Sequence, residues 1–330
     1  MTVVSTTRLV AVDIGGTHAR FALAEMTNGE VAGLSGAVTF KTADYANLTL
    51  AWQDYAKTID GPLPKAAAMA LACPIQGDVL RLSNNPWVIR PASLYDELGL
   101  DSLTLVNDFE AVGHAVARLG PEHFAHISGP EDDLPTTGVI CVVGPGTGLG
   151  VTHVLRRDGR YYVTSTEGGH LDFAPVDAIE DAVLAHLRQR FGRVSTERIV
   201  SGPGLVNLYD ALAKAEGREA CTVGDTRLWA AAIAGDDPLA AEAIDRFCRI
   251  LGSVAGDLAL AQGAGGVVIA GGLGLRLAGV LRTSRLAERF VAKGRFEGLM
   301  RAMPVKLLTH PQPGLYGAAA AFASRPEDCS

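Results

Sequence analysis

Apolar positions along this chain fall into two patterns, short unbroken runs and helical repeats, which alternate from one end to the other. LVAVDIGG and ARFALAE read as two strands joined by a tight glycine turn, and VAGLSGAVTF as a third, so the chain opens as a β meander. LTLAWQDYAKTI follows with the spacing of a helix. KAAAMALACPIQG and VLRLSN predict a buried strand and its partner, SLTLVNDF a short strand running out into polar residues, and EAVGHAVARL an amphipathic helix.

The opening arrangement recurs at VICVVGPGTGLGVTHVL (139–155), again a glycine turn between two β-branched runs. Asp237 and Pro238 have the chemistry of an N-cap and first helical residue for PLAAEAIDRFCRILGSVAGDLALAQ. GGVVIAGGL predicts a strand then a glycine turn, and PGLYGAAAAF a loop then a helix. Two halves that each begin strand, glycine turn, strand imply a duplicated α/β unit, with two lobes facing one cleft.

Length supports that division. At 330 residues the chain exceeds what one core comfortably fills, about 250 to 300 residues. A net charge of −7 supplies no basic surface with which to displace counterions, so nucleic acid is not an expected partner. Cys73, Cys141, Cys221, Cys248 and Cys329 are scattered and odd in number, which predicts reduced thiols in a cytoplasmic protein. LALAQGAGGVVIAGGLGL (258–275) carries no charge over 18 residues, the length of a minimal membrane span. Its six glycines divide it into helix end, strand and loop, so no membrane role is expected.

The candidate chemistry sits at the glycine turns. DIGGTHAR is no Walker loop, because no GK[ST] follows, and it joins strand to strand rather than strand to helix. Gly15 and Gly16 let backbone N–H groups face a concavity suited to phosphate oxygens, Thr17 adds a hydroxyl, and Asp13 is placed to hold a hydrated Mg²⁺. An ordinary hairpin turn is the competing reading. GPGTGLG (144–150) repeats the pattern with Gly146, Thr147 and Gly148, and four glycines in seven residues exceed what a hairpin requires.

VNDFEA puts Asn107 and Asp108 where an apolar strand ends, the place where open α/β sheets bind ligands, although Asp108 also suits the cap of the following helix. EGGHLDFAP sets Glu167 and His170 either side of two glycines, a pair suited to vicinal hydroxyls. A metal reading of that pair lacks a Cys or second His at ligand spacing. STERIVSGPG adds Glu197, with a capping box as the alternative.

Taken in order, DIGGTHARFAL, ACPIQGD, NDFEA, GPGTGLG, EGGHLDFAP, ERIVSGPGLVNLY, GGVVIAGG and PGLYGA closely resemble the bacterial glucokinase family, from about residue 9 to about residue 322. The resemblance implies a two-lobed actin-like, hexokinase-type ATPase fold of RNase H-like topology, with residues 1–118 plus 312–330 as a small domain and 119–311 as a large one. It implies transfer of the γ-phosphoryl of MgATP to glucose, with Asp108 as general base. Asn84, Asn107, Gly148, Glu167, His170 and Glu197 would contact the sugar. Both glycine turns would hold phosphates, and Gly271, Gly272 and Gly317 would flank the nucleoside. Homodimers and lobe closure on glucose are further implications. Related repressor/ORF/kinase sugar kinases carry a zinc-binding cysteine cluster after their GGH-like segment; here no Cys lies between Cys141 and Cys221, which disfavours that subfamily. A sugar-responsive regulator is a different class, and the first glycine turn arrives by residue 15, ahead of any room for a helix-turn-helix.

Overall fold

A computed structural model of the protein describes residues 6–218 and 225–324. Contacts divide the chain into two compact units, Met1–Leu119 with His310–Ser330, and Gly120–Thr309.

In chain order, the first unit contains strands β1 (Thr6–Ile14), β2 (His18–Thr27) and β3 (Glu30–Lys41), helix α1 (Leu48–Ala56), strands β4 (Ala66–Leu71), β5 (Leu80–Arg81) and β6 (Val88–Ile89), helix α2 (Pro91–Leu98), strand β7 (Ser102–Asn107) and helix α3 (Asp108–Arg118). The second contains β8 (Phe124–Ser128), β9 (Gly138–Pro145), β10 (Leu149–Arg157), β11 (Arg160–Thr166), α4 (Ala178–Phe191), α5 (Gly202–Ala215), α6 (Asp225–Ala234), α7 (Pro238–Gln262), β12 (Ala264–Ile269), α8 (Gly271–Arg276), α9 (Ala278–Leu281), α10 (Leu286–Val291), α11 (Glu297–Arg301) and β13 (Val305–Leu308). The chain then returns to the first unit as α12 (Pro313–Ala323).

The duplication is visible in the strand orders. One sheet runs β3-β2-β1-β4-β7, the other β11-β10-β9-β12-β13 with β8 added at the edge. In each, three antiparallel strands lead into two parallel ones. β1 explains why its sequence reads as an unbroken apolar run: Val10, Val12 and Ile14 enter one core with Phe21, Trp52 and Met69, while Leu9 and Ala11 enter another beneath α12. That second face is built from small residues, Ala22, Ala24, Ala68 and Ala70 against Ala318, Ala319 and Ala321, which lets α12 lie close to the sheet. The second unit has one large core in which Trp229 and Phe247 meet edge to face, 5.2 Å between centroids.

Several expectations are revised. VLRLSN is not the partner of β4; β5 pairs with β6 in a separate two-stranded ribbon, and β4 lies between β1 and β7. PGLYG is already helix, because Pro313 at its first turn has the φ and the missing N–H that a helix start tolerates. GGVVIAGGL passes straight into α8, where Gly271 adopts φ +81 beside the Pro145 carbonyl. Asp237 does cap α7, accepting from the Leu239 N–H at 2.8 Å. The uncharged segment 258–275 spans the end of α7, β12 and the start of α8, and no helix among the described residues is long and apolar enough to cross a membrane. Cys73, Cys141 and Cys248 are free and buried; Cys221 and Cys329 lie outside the described residues.

Gly317 is set into the crossing of α12 with α3: a Cβ there would collide with the Ala111 carbonyl. Gly317→Ala must separate the helices or bend one, which costs about 1 to 3 kcal/mol for an overpacked site. The expected outcome is a melting temperature several degrees below that of the parent protein; an unchanged transition contradicts the close approach.

Candidate functional site

The first glycine bend, residues 15–17, joins β1 to β2 and closes with a hydrogen bond from the Gly15 N–H to the His18 carbonyl at 2.9 Å. Its carbonyl oxygens are all taken by protein donors. Asn85 Nδ2 donates to Gly15 at 3.0 Å, Thr42 Oγ1 to Gly16 at 3.1 Å, and the Thr42 N–H to Thr17 at 3.0 Å. In a trans peptide the N–H points opposite the carbonyl, so tying the oxygens inward turns the following N–H groups the other way. Thr17 is exposed at the tip, its hydroxyl 2.9 Å from His18 Nδ1.

Asp13 ends the run of β1 just before this bend. It stands across the ladder from Arg20, whose Nη1 donates to Oδ2 at 3.1 Å. The Asp13 side chain is 18% exposed and that of Arg20 44%, so the cation stays solvated while the anion does not. Burial accordingly pushes the Asp13 carboxyl above the usual carboxylate range, with Arg20 opposing the shift. Gly314, at the start of α12, belongs to the PGLYGA motif, and the sequence alone gives no sign of its contact with Asp13. A Cβ there would come 2.7 Å from Asp13 Oδ2, so glycine is what allows the positive end of the helix to approach this carboxylate.

Asn107 and Asp108 lie at the C-terminal end of β7, which runs parallel to β4 and thereby to β1. The helix cap is Asn107 and not Asp108: Asn107 Oδ1 accepts from the N–H groups of Phe109 and Glu110 at 2.9 and 3.2 Å. Its Nδ2 donates to the Cys73 carbonyl at 3.2 Å, and its side chain also hydrogen-bonds the Asp108 carboxylate. With the cap supplied by its neighbour, Asp108 is free to be the first helical residue, its carboxylate accepting from the Phe109 N–H at 2.8 Å. Its carboxyl is pushed up to about 6, first by burial and then by the negative charge of Asp13, against the hydrogen bonds from Phe109, its own N–H and Asn107. Asn84 sits in left-handed backbone, φ 56, exposed on the loop behind the first bend.

The second unit builds its bend in a similar way. Pro145 closes β9, Leu149 opens β10, and the Gly146 N–H donates to the Gly148 carbonyl at 2.8 Å. The Gly202 N–H holds the Gly146 carbonyl at 2.7 Å, and Glu197 Oε2 accepts from the Leu149 N–H at 2.9 Å. Gly148 leaves room for that carboxylate, which a Cβ there would displace. Thr147 is exposed at the tip, as Thr17 is in the first unit. Gly272 has open space where a side chain would be, whereas Gly271 is pressed to the Pro145 carbonyl, 2.8 Å from an added Cβ.

Glu167 and His170 flank one turn of helix, Gly168–His170, that lies against β10, and a Cβ on Gly169 would collide with the Leu149 carbonyl. The pair is exposed, with His170 Nε2 3.9 Å from Glu167 Oε2. The loop carrying Glu197 is stitched to this one through the Thr196 N–H to the Leu171 carbonyl, 2.8 Å, and the Phe173 N–H to the Val194 carbonyl, 3.0 Å. Glu167, His170, Gly148 and Glu197 are therefore brought together, and no capping box is needed to explain Glu197, because Ser201 caps α5. Gly317, expected beside a nucleoside, makes the close contact between α12 and α3.

This fold is that of a sugar-kinase ATPase. The chain superposes on the crystal structure of glucokinase from an Antarctic psychrotroph with a TM-score of 0.84 and 33% identity, covering 96% of this chain and 99% of that one. It superposes on glucokinase from Balamuthia mandrillaris in complex with glucose with a TM-score of 0.77 and 21% identity, covering 98% and 94%. A model of the Glucokinase family matches residues 9–325, and the glucokinase of Zymomonas mobilis subsp. mobilis is 57% identical over 317 residues, 96% of this chain and 98% of that protein. The chain belongs to the glucokinase family.

The raised Asp108 carboxyl has a measurable consequence for stability. A group whose folded value, about 6, lies above its ordinary 3.8 binds its proton more tightly in the folded state. Its contribution favours folding below pH 4 and is lost as the pH rises through 6. Asp108→Asn removes that loss, at most roughly 3 kcal/mol at 1.36 kcal/mol per unit. The variant should melt higher than the parent at pH 8, with the gap closing towards pH 4; a gap independent of pH contradicts the assignment.

Proposed function

We propose that the chain transfers the γ-phosphoryl group of MgATP to the 6-hydroxyl of D-glucose, giving glucose 6-phosphate and ADP, with Asp108 as general base. The observation that carries this reading is the Asp108 carboxyl, freed from capping duty by Asn107 and raised to about 6 next to a bend whose carbonyls are tied back. A base near neutral pH both exists as carboxylate at working pH and takes a proton readily. In the reaction the 6-oxygen attacks the γ-phosphorus, the bond to the β-γ bridging oxygen breaks, and the hydroxyl proton passes to Asp108. N–H groups of the two bends, with Thr17 and Thr147, receive phosphate oxygens, and Asn107, Asn84, Gly148, Glu167, His170 and Glu197 hold the sugar hydroxyls. Gly271 and Gly272 lie towards the nucleoside.

Asp13 fits the Mg²⁺ that accompanies ATP. Its donors are carboxylate oxygens, beside a second carboxylate, Asp108, on which its charge already acts, and Mg²⁺ takes one or two carboxylates with water and phosphates. Bound there, the ion would neutralise phosphate charge. The homodimer and cytoplasmic location implied by the family belong to this same proposal.

The test is a coupled assay with purified protein, MgATP and a panel of hexoses. Glucose should exceed mannose and 2-deoxyglucose, because an acceptor left without its hydroxyl costs about 1 to 3 kcal/mol. Asp108→Asn should keep glucose binding and lose a factor of about 10² to 10⁴ in turnover. Since the charged form is the active one, the parent rate should fall below pH 6. Equal rates for the three sugars, or a fully active Asn variant, defeat the proposal.

A further inference from the structure

The first bend is held from behind by the loop that carries Asn84, and the fastening is Asn85. Asn85 Nδ2 donates to the Gly15 carbonyl at 3.0 Å while its Oδ1 accepts from the Trp87 N–H at 2.9 Å. Both ends of this loop are anchored. Trp87 is 1% exposed and its Nε1 donates to the Tyr45 carbonyl at 2.9 Å, and the Ser83 N–H donates to the Ala72 carbonyl at 3.0 Å. The bend lies directly on the loop: a Cβ at Gly16 would come 3.1 Å from Asn84 Cβ and 3.2 Å from the Ser83 carbonyl.

We infer that Asn85 is a positioning residue for nucleotide. It fixes the Gly15–Gly16 bend to an anchored loop, so that the bend's N–H groups already face the phosphates before ATP arrives. The inference rests on the proposed reading of the bend as a phosphate site. Two adjacent glycines have no side chains to restrain them, so the conformation of the bend must be imposed from outside. Asn suits the task because it donates with one end and accepts with the other. Asp keeps the bond from Trp87 and loses the one to Gly15; Ala loses both.

Steady-state kinetics of Asn85→Asp and Asn85→Ala, with calorimetric titration of a non-hydrolysable ATP analogue, decide the matter. Both variants should weaken the analogue and raise KM for MgATP by about five- to tenfold, the scale of one lost hydrogen bond. KM for glucose should stay within about twofold and the melting temperature within a few degrees. Parent-like nucleotide affinity in both variants overturns the inference while leaving the kinase reading intact. Equal losses for glucose and nucleotide with a lower melting temperature also overturn it, since they mark a damaged loop. A parent protein that phosphorylates nothing and binds no analogue defeats the phosphate reading itself, and the inference with it.

Discussion

Two carboxylates placed at the same end of parallel strands in one sheet cannot both be ordinary anions. Asp108 feels the charge of Asp13, and both are removed from water, so ionising either is costly. The surrounding structure manages that cost unequally. Asp13 receives Arg20 and the start of α12, admitted by the bare backbone of Gly314. Asp108 receives N–H donors but no cation, and is the carboxylate that takes the hydroxyl proton in the proposed reaction.

The glycine bends follow a second constraint, that flexible backbone must be held by something else. In the first unit the fasteners are Asn85 and Thr42; in the second they are Gly202 and the carboxylate of Glu197. Different groups thus solve one problem on two sheets that share a five-strand order. The close approaches explain the glycines better than turn geometry does. Gly16 and Gly148 have no unusual φ, yet each has a neighbour where a Cβ would go.

Periodicity made most of the fold legible, because β1, β4 and β12 are buried on both faces and read as unbroken apolar runs. Topology was legible only where the motif repeated: VLRLSN is apolar enough for a strand, and nothing local to it says that its partner is Val88–Ile89 and not β4. At the site, residues whose chemistry is unusual for their position stood out, among them Asp108, Glu167, His170 and Glu197. Residues acting through backbone contact did not. Asn85 is one of two adjacent asparagines in a polar loop, Gly314 and Gly317 sit in the same short motif, and only packing separates a glycine that admits a carboxylate from one that admits a helix. Asn107 was half legible, since a cap and a ligand donor call for the same amide.

The central claim is that burial and the charge of Asp13 together raise the Asp108 carboxyl. Carboxyl-carbon NMR titration of Asp108, in the parent protein and in Asp13→Asn, measures this directly. The account gives a midpoint near 6 in the parent and a lower one in the variant. A parent midpoint near the ordinary 3.8, or one that Asp13→Asn leaves in place, contradicts it.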